Sequence, residues 1–440
     1  MKRRYVIVGV GVRGINMFLR PLVQTYTDVA EVVGLCDTNP KRLEAANELV
    51  GTSLPVFTDF DEMMRKVDCD AVIVTSVDAT HHRYIIGALE AGKDVITEKP
   101  MTIDDVRCRA ILEAERSSTG RVIVTFNYRY APYNTRIKEL LQSGVIGRVH
   151  SVEFSWYLDT IHGADYFRRW HRRKENSGGL FVHKATHHFD LVNWWLEQKP
   201  VKVYATGRKN FYRPDRQERG ERCSTCRYTN TCEFFFDLNA DPVLRKLYVE
   251  AESEDGYYRD RCVFDPDIDI EDTMGAVVTY SGGTQLTYSL HAFSPFEGWR
   301  IAFNGSEGRL EAGVWETFYP SQARLLPDRK SVRRSMDPAL AARGQMETLR
   351  ADEIRIYPLY GGARIERVPR VKGGHGGGDE RLLDMLFRGD VPDPLGHAAG
   401  SEDGAMSILT GVAANRSIET GRAVYVQDLL TGAETVRAGA

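Results

Sequence analysis

Short apolar runs alternate with helical patterns over the first 125 residues. The runs YVIVGVGV, AEVVGLCD, DAVIVTS and KDVITEKP begin at residues 5, 30, 70 and 93, and each precedes a stretch with apolar residues at helical spacing. Near-continuous apolar runs are typical of strands buried on both faces, and their alternation with helices indicates a parallel sheet. The pattern therefore predicts a doubly wound α/β domain over residues 1–125, with RVIVTFNYRY at 121–130 as a further strand.

Beyond residue 125 the pattern changes to period-two alternation. It is seen in HSVEFSWYLD, PVKVYATG, MGAVVTYSGGTQLTYSLHAF and GWRIAFNGSEGRLEAG, and the turns SGG and NGSEG contain glycine. Such segments predict antiparallel hairpins and a large, mainly antiparallel open sheet within a second α/β domain, residues 126–440. Helices would cover one face of this sheet. The other face is expected to pack against a second subunit, so we expect a homo-oligomer, a dimer or a tetramer.

Two segments exceed what this plan requires, one at about 205–272 and one at about 320–378. The second is basic, is interrupted by Pro and Gly, and ends in GGHGGGD. Glycine on both sides of His375 would let this loop approach a ligand, so His375 and Asp379 are candidates for the site. A flexible hinge before the helix DERLLDMLF is the alternative interpretation. The last strand is predicted in RAVYVQDL, after the helix SEDGAMSILTGVAANRS.

Composition excludes several classes of partner. The 440 residues are enough for two domains, and 58 basic against 61 acidic residues give a net charge of -3, which offers no general attraction to nucleic acid or to an anionic membrane. The run YVIVGVGV after Met1-Lys-Arg-Arg is only strand-length, so we read it as mature structure rather than a signal peptide. Seven cysteines, an odd number, favour a reducing, cytoplasmic setting.

The run that begins at Tyr5 leads into a glycine motif and then a helical pattern. In GVGVRG the first glycine permits a tight turn, the second admits a pyrophosphate, and the third lets helix pack closely on strand. Asp37, 23 residues after Gly14, ends the next strand and can bind ribose hydroxyls and repel a 2′-phosphate. Asp37 therefore favours NAD over NADP, but the nearby cations Lys41 and Arg42 leave NADP open. The alternative interpretation of the glycine motif is a tight turn that binds no nucleotide. The predicted dinucleotide contacts here are Gly9, Gly11, Val12, Arg13, Gly14 and Asp37.

Polar residues follow the next two strands. In an open parallel sheet the loops after the carboxyl ends of the strands meet at the ligand crevice. For Lys99 the alternative is an ordinary surface ammonium, which a position between a strand end and Pro100 disfavours. The residues expected to line the cofactor site are Thr75, Ser76, Asp78, His81, Glu98 and Lys99.

The stretch SGGLFVHKATHHFDLVNWW, residues 177–195, combines titratable groups with an apolar back. Read as one helix, it places His183, His187 and Asp190 on a single face. The HxxxH spacing would also suit zinc, but no third ligand is evident beside a nicotinamide site. We therefore interpret this face as proton-transfer machinery.

Together these motifs resemble the Gfo/Idh/MocA oxidoreductase family: the glycine motif, Asp37, His81 followed by Glu98-Lys99-Pro100, FNYRY, and GGLxxHxxxHxxD at 178–190. The resemblance implies an N-terminal Rossmann domain, a C-terminal α/β domain, and a nicotinamide at their junction. It also implies that Lys99 contacts the substrate hydroxyl and the nicotinamide ribose, that Pro100 follows a cis peptide bond, and that His187 transfers the proton. Many members carry Asp where this chain has His183. From FNYRY, Asn127 and Arg129 are expected to face the cofactor.

The chemistry expected of these residues is oxidation of a carbinol. His187 would be the base, Lys99 would donate a hydrogen bond to the forming carbonyl, His183 would be a relay or a substrate ligand, and Asp190 would orient a histidine. The basic run at 168–174 suggests an acidic group on a polyhydroxylated substrate, a solvated charge run being the alternative. The predicted substrate contacts are Lys99, Tyr157, Arg168, Trp170, His183, Lys184, His187 and His375.

Four cysteines lie in the first added segment, at 223, 226, 232 and 262. A bound metal would stabilise a long irregular excursion by clamping its ends. The CxxC pair favours a structural zinc site made of Cys223, Cys226, Cys232 and Cys262, although the remaining spacing matches no standard zinc pattern. Free thiols and an iron–sulfur cluster are the alternatives.

Three functions follow from the sequence. The first is NAD-dependent oxidation of a hydroxyl, at C3, of a sugar or sugar derivative. The second is a glycoside hydrolase that oxidises C3 transiently, eliminates the aglycone, adds water and reduces the ketone again. The third is a nicotinamide-dependent sensor or scaffold, which intact Lys99 and His187 disfavour. No nucleic acid or membrane is expected among the partners.

Overall fold

The N-terminal half of the chain contains a six-stranded parallel sheet. In the computed structural model, which describes residues 2–316, 351–371, 373–389 and 391–433, its strand order is β3-β2-β1-β4-β5-β6. All five pairings are parallel, so the doubly wound fold is confirmed. The strands are β1 Arg3–Val8, β2 Ala30–Cys36, β3 Val56–Phe57, β4 Ala71–Val74, β5 Asp94–Thr97 and β6 Val122–Val124.

Helices connect these strands across both faces of the sheet. A π-helical segment, Gly14–Leu19, continues from the glycine turn into the first α-helix. Asn39 and Asp59 cap two of the helices through their side chains, as expected for residues that accept a hydrogen bond from the first turn. The α-helices are α1 Arg20–Gln24, α2 Pro40–Val50, α3 Phe60–Lys66, α4 His81–Glu90 and α5 Asp105–Arg116, and a 3₁₀ turn covers Asp78–Thr80.

The second half is organised on a nine-stranded sheet in the order β14-β13-β12-β11-β7-β10-β9-β8-β15. Only the pairing of β7 with β10 is parallel, which confirms the mainly antiparallel sheet. The strands are β7 Val149–Asp159, β8 Pro200–Arg208, β9 Thr273–Tyr280, β10 Gln285–Ser294, β11 Gly298–Gly305, β12 Gly308–Trp315, β13 Ala351–Pro358, β14 Arg364–Pro369 and β15 Val424–Tyr425.

Alternate residues of β7 separate the two faces of this sheet. Val152, Phe154, Trp156 and Leu158 are buried on the face that carries the helices. Helix packing on this face is fixed in part by the backbone amide of Ala205, which donates to Ser417 Oγ at 2.9 Å. The helices are α6 Pro132–Gln142, α7 His162–Arg168, α8 Lys174–Ser177, α9 Leu180–His183, α10 Ala185–Leu196, α11 Pro242–Leu244, α12 Glu252–Asp255, α13 Gly378–Arg388, α14 Ser401–Thr420 and α15 Val426–Thr431.

Three local predictions need correction. The stretch 177–195 is not one helix, because α9 ends at His183 and α10 begins at Ala185, with Lys184 between them. RAVYVQDL forms only the two-residue strand β15 and then turns into α15. The segment 320–378 lies outside the described residues up to 350, and its described part forms β13 and β14 before the His375 turn. Among the described residues, no helix is long and apolar enough to cross a membrane.

Candidate active site

The glycine turn after β1 is closed as tightly as its sequence predicts. Gly9 has a φ of 88°, a conformation that side chains other than hydrogen rarely allow. A Cβ on Gly14 would stand 2.2 Å from Gly9 O and 2.6 Å from Thr75 Oγ1, so only glycine lets the helix start this close to the strand. Thr75 Oγ1 in turn donates to the carbonyl groups at the end of β1. Thr75, at the end of the neighbouring strand β4, therefore stabilises the turn by hydrogen bonds to its backbone.

The open side of the turn carries a side chain that the sequence did not indicate. The backbone amide of Val12 donates to the hydroxyl of Tyr248 at 3.2 Å, and a Cβ on Gly11 would meet the same oxygen at 3.3 Å. Tyr248 belongs to the added segment 205–272 and is buried. Because the Val12 amide presents a donor at the start of a helical segment, a phosphate oxygen fits the position that the hydroxyl takes. The residues present thus fit a dinucleotide.

Asp37 lies beside this turn. Its carboxylate accepts hydrogen bonds from the backbone amides of Val10 and Asn39, both at 3.0 Å, and from Arg42 Nη1 at 3.1 Å. Arg42 is held at the same time by Asp255 at 2.8 Å. Arg42, one of the two cations that left NADP open, therefore already pairs with two carboxylates of the protein. Contact between Asp37 and an adenosine ribose remains a prediction.

The residues after β4 and β5 connect loops to one another. His81 is buried, and its two ring nitrogens lie 2.9 Å from Pro100 O and 3.0 Å from Ser76 O, so it positions the two strand-end loops. Contact between His81 and the cofactor remains a prediction. Ser76 Oγ lies 2.8 Å from Thr80 Oγ1. Glu98 accepts a 2.6 Å hydrogen bond from Arg13 Nε, which links the β5 loop to the glycine turn.

Lys99 reaches from the N-terminal domain to the break between α9 and α10. Its Nζ donates to the backbone oxygen of His183 at 3.0 Å, and its peptide bond to Pro100 is cis, as the resemblance implies. Burial lowers the pKa of Lys99 to about 8, against the opposing carboxylate of Asp78 and with the help of the nearby cation of Lys184. The half-buried amine therefore changes charge close to physiological pH.

His183 pairs with a carboxylate from another loop. Its Nδ1 lies 2.5 Å from Asp78 Oδ2, and both residues are buried. Burial raises the pKa of Asp78 well above its ordinary value, and burial together with the Lys99 cation holds the pKa of His183 well below 6.5. Many relatives are expected to carry Asp at this position. In this chain the position is His183, and the carboxylate beside it belongs to Asp78.

His187 is buried on the first turn of α10. Its ring meets Tyr128 edge-on at 4.9 Å and lies 5.8 Å from the ring of His375. Burial, and next the positive charge of Lys99, hold the pKa of His187 well below 6.5. Nδ1 of His187 is buried without a hydrogen-bond partner among the described residues. The imidazole is therefore neutral at pH 7, the form that has a free nitrogen for a hydroxyl proton.

His375 takes part in a second polar group beside His187. Its Nδ1 lies 2.9 Å from both Asp379 Oδ1 and Asn127 Nδ2, and Asn127 donates to the same carboxylate oxygen at 2.6 Å. Arg13 Nη1 is 3.8 Å from Asp379 Oδ2. The structure thus brings the predicted His375, Asp379 and Asn127 to the glycine turn and the face of His187.

Arg129 and Asp190 do not have their predicted roles. Arg129 is buried, and its Nε and Nη2 donate to the two oxygens of Asp190 at 2.8 and 2.5 Å, while its remaining hydrogen bonds go to Asp403 and Gly396 O. All three guanidinium nitrogens are thus occupied by the protein, so Arg129 is no cofactor contact and Asp190 orients an arginine instead of a histidine. The break at Lys184 separates His183 from α10, which holds both His187 and Asp190.

Two predicted substrate contacts lie elsewhere. Tyr157 lies on the opposite face of the large sheet from Trp156, against the rings of His291, Phe296 and Trp315. Arg168 is buried and donates to Phe234 O at 2.7 Å, within the added segment.

Trp170 and Lys184 lie close to His183 and to the start of α10, and their contact with a substrate remains a prediction. The Trp170 ring is 5.7 Å from that of His183, and Lys184 Nζ is 4.9 Å from the Trp156 ring centroid. Both are therefore near the His183 imidazole or the break that precedes α10.

Two acidic residues near Lys184, Glu297 and Glu316, were not predicted from the sequence. Glu297 accepts from the ring of His162 at 3.0 Å, and the other His162 nitrogen lies 2.9 Å from the hydroxyl of Tyr166. Desolvation and then the charge of Glu297 raise the pKa of Glu316, although the residue itself is exposed, whereas the pKa of Glu297 is lowered by His162 and Lys184 against the effect of burial. The two glutamates follow strands as single acidic residues, and no local pattern marked them.

Arg169 and Arg259, near the candidate site, have guanidinium nitrogens that make no hydrogen bond among the described residues. Nε of Arg169, and Nε and Nη1 of Arg259, are buried without hydrogen-bond partners among the described residues. Both cations lie near Asp165, whose pKa they lower to about 2 against the opposing effect of burial. Arg259 also lies 5.0 Å from the ring of Tyr248. The site edge near the glycine turn is therefore positively charged and can accept an anion.

The predicted zinc site is not supported. Within the described ranges, no group of three or more His, Cys, Asp or Glu side chains is close enough to hold a metal ion. Cys223, Cys226, Cys232 and Cys262 are free thiols that line a common cavity.

Comparison with protein families accounts for most of the chain. Residues 3–126 match the oxidoreductase family's NAD-binding Rossmann fold, GFO_IDH_MocA, and residues 138–427 match its C-terminal alpha/beta domain. YteT of Bacillus subtilis (strain 168), which its name places provisionally among the oxidoreductases, is 39% identical over 447 residues, covering 97% of this chain and 98% of YteT.

Two other similar proteins have a named activity or a bound ligand. An inositol 2-dehydrogenase of Rhizobium meliloti is 29% identical over 177 residues, which are 40% of this chain and 51% of that protein. Among solved structures, the WlbA dehydrogenase from Bordetella pertussis in complex with NADH and UDP-GlcNAcA has a TM-score of 0.63 at 19% identity, covering 97% of this chain and 99% of WlbA. This last similarity concerns the fold alone.

Proposed function

The chain belongs to the Gfo/Idh/MocA family of oxidoreductases, and on that premise we propose that it oxidises a hydroxyl, at C3, of a sugar or sugar derivative with NAD as cofactor. The single observation that carries the proposal is the hydrogen bond from Lys99 to the backbone at the end of α9, next to the break before α10. Lys99 Nζ lies 3.0 Å from His183 O, and the next turn of chain holds His187 as a neutral imidazole. A proton donor and a proton acceptor thus stand beside the glycine-turn domain.

Each of these groups has one task in the proposed reaction. Bound NAD would supply the hydride acceptor. His187 accepts the proton of the substrate hydroxyl, which its depressed pKa allows because the ring is neutral at pH 7. Lys99, while protonated, donates a hydrogen bond to the same oxygen and stabilises it as it becomes a carbonyl oxygen. His183, held by Asp78, binds a neighbouring hydroxyl or relays the proton.

Polar and aromatic groups around these residues support a polyhydroxylated substrate. Tyr166, Trp170 and Lys184 surround the two histidines, and aromatic rings cover the apolar faces of sugars. An acidic group on the substrate is supported by the unpaired donors of Arg169 and Arg259, which take the place of the Arg168 that the sequence favoured. A guanidinium can bind a carboxylate through two hydrogen bonds.

A redox-neutral glycoside hydrolase is the second candidate, favoured by the pair Glu297 and Glu316. Their environments push their pKa values in opposite directions, so one carboxylate and one carboxylic acid can coexist near Lys184. After oxidation at C3, the carboxylate would remove the proton at C2, the acid would protonate the departing aglycone oxygen, and water would add to the resulting double bond. Return of the hydride to C3 would then leave the cofactor unchanged.

One experiment distinguishes the two reactions. Purified protein is mixed with a panel of sugars, sugar acids and chromogenic glycosides, with and without added NAD. Accumulation of NADH and a ketosugar in proportion to added NAD supports the dehydrogenase. Release of the aglycone without net NADH supports the hydrolase. If neither product forms with any member of the panel while NAD binds normally, the enzymatic proposal is wrong and a sensor is favoured.

The open face of the large sheet supports the predicted homo-oligomer. Tyr204 of β8 and Val277 of β9 are paired in register, and their side chains are 46% and 44% exposed. Adjacent exposed apolar side chains on a sheet face mark a contact surface. Light scattering during size-exclusion chromatography should give a dimer or tetramer, and Tyr204→Lys should lower the mass. The free state of the seven cysteines agrees with the cytoplasmic location that we propose.

A further inference from the structure

The added segment, residues 205–272, packs against the loop that follows β2. Asn39, the N-cap of α2, is fully buried, and its Nδ2 donates to Ala251 O and to Asp255 Oδ2, each at 2.9 Å. The side-chain oxygen of Asn39 accepts from the backbone amide of Arg42 at 3.1 Å, so one residue caps α2 and binds the added segment. The acidic helix α12 is thereby fixed at the loop where the adenosine ribose of a dinucleotide is expected.

All three guanidinium nitrogens of Arg42 are occupied by the protein. Nη1 donates to Asp37 at 3.1 Å, Nη2 donates to Asp255 at 2.8 Å, and Nε donates to Leu247 O at 3.4 Å. Two of these three acceptors belong to the added segment. The side chain of Arg42 is only 11% exposed, so it lies within the contact between the two parts of the chain. A ligand phosphate could therefore bind this guanidinium only by displacing one of the three acceptors.

The ion pairs at this contact contain more carboxylates than cations. Arg42 pairs with Asp37 and Asp255, and Lys41 Nζ lies 3.0 Å from Glu254, so three carboxylates and two cations leave a net charge of -1. Against the effect of burial, hydrogen bonds lower the pKa of Asp255, so this carboxylate is ionised at pH 7. A 2′-phosphate at the adenosine ribose would therefore be repelled, whereas uncharged ribose hydroxyls would not.

An arginine near the acidic residue that ends the second strand is the group that accommodates the 2′-phosphate in NADP-binding domains. Arg42, five residues after Asp37, has this position, but Asp255 binds its guanidinium. We propose that Asp255 determines the preference for NAD over NADP by holding Arg42 away from a 2′-phosphate. Asp255 is thus a positioning residue that acts through Arg42 and needs no contact with the cofactor. The proposal rests on the NAD dependence proposed above and assigns part of it to the added segment.

Nucleotide binding by the full-length protein tests the proposal without an enzymatic assay. Isothermal titration gives the Kd of NADP and the Kd of NAD, and the ratio of the two measures the preference. Asp255→Asn should lower this ratio by about 10–100-fold, because the released guanidinium forms a charge-assisted hydrogen bond to the 2′-phosphate. An unchanged ratio in Asp255→Asn, or equal Kd values for the two nucleotides in the wild type, would overturn the proposal.

Three further variants separate this role from a structural one. Glu250→Gln is the matched control, because it removes the same charge from the same segment, where Glu250 forms an exposed pair with Arg245 at 3.2 Å. Its ratio should equal that of the wild type.

Arg42→Gln combined with Asp255→Asn should abolish the gain in NADP binding, and a gain that persists would overturn the action through Arg42. If Asp255→Asn does not fold, Asp255→Ser takes its place, since a hydroxyl can still accept from Asn39. A wild type that binds neither nucleotide would contradict the proposed NAD dependence together with this proposal, a result distinct from an unchanged ratio.

Discussion

The hydroxyl of Tyr248 accepts a hydrogen bond from the backbone amide of Val12 at 3.2 Å, although 236 positions separate the two residues. Val12 follows the second glycine of the turn, where a dinucleotide phosphate would be bound. If the cofactor phosphate uses this amide, as predicted, it would compete with the Tyr248 hydroxyl for one donor. We therefore expect the position of Tyr248 and cofactor binding to be coupled.

Removing the Tyr248 hydroxyl should tighten NAD binding. The nucleotide-free protein gains about 0.5–1.5 kcal/mol from such a hydrogen bond, so Tyr248→Phe should lower the Kd of NAD by about 2–12-fold. Isothermal titration of nucleotide-free protein measures the change. Tyr258→Phe is the control, because the ring of Tyr258 packs under Arg222 in the same segment. Weaker binding by Tyr248→Phe would mean that the hydroxyl donates to the phosphate.

The pH dependence of oxidation should reflect Lys99. Because its folded pKa is lowered to about 8, the ammonium that donates to the substrate oxygen is present below that pH and is lost as the pH rises through it. We expect kcat/KM to fall about tenfold per pH unit above about pH 8. Lys99→Arg should have lower activity without this fall, since a guanidinium stays charged. A rise of kcat/KM through pH 8 would assign the role of base to Lys99.

Loss of the His187 imidazole should remove proton transfer but keep cofactor binding. His187→Gln should lower kcat by about 10²–10⁴-fold, the usual contribution of a positioned general base. Single-turnover kinetics gives the rate, and fluorescence titration gives the Kd of NAD. His82→Gln is the control, because His82 lies on a helix of the N-terminal domain, beside Arg107 and Asp104. A His187→Gln rate close to wild type would show that another group takes the proton.

The buried ion pair of Arg129 and Asp190 should be structural. Asp190→Asn leaves the guanidinium uncompensated and should lower the free energy of unfolding by about 3–5 kcal/mol. Arg116→Gln, which removes an exposed partner of Glu113, should cost less than about 1 kcal/mol. Urea unfolding of the full chain compares the two. Wild-type stability with a large loss of activity in Asp190→Asn would restore the role of orienting a histidine.

The sequence alone determined the features that depend on local pattern. Near-continuous and alternating apolar runs indicate which faces of a strand are buried, and so predict a parallel first sheet and a mainly antiparallel second sheet; the short strand β3 was not predicted. The glycine motif specified the turn at Gly9, because its φ of 88° and the contact at Gly14 permit no larger residue. The position of Lys99 was also predictable, because the carboxyl ends of parallel strands lie at the ligand crevice independently of the rest of the fold.

Only the tertiary structure decided which partner each polar group has. Asp78 with His183, Arg129 with Asp190, and Tyr248 with Val12 join residues 61 to 236 positions apart. Asp190 pairs with Arg129 although it lies three residues from His187 in the same helix. A buried charge or donor is satisfied by whatever group packing brings within about 3 Å, and a small change in the angle of one helix changes that group. Local sequence carries no record of that choice, so the site's residue types were predictable and several of its pairings were not.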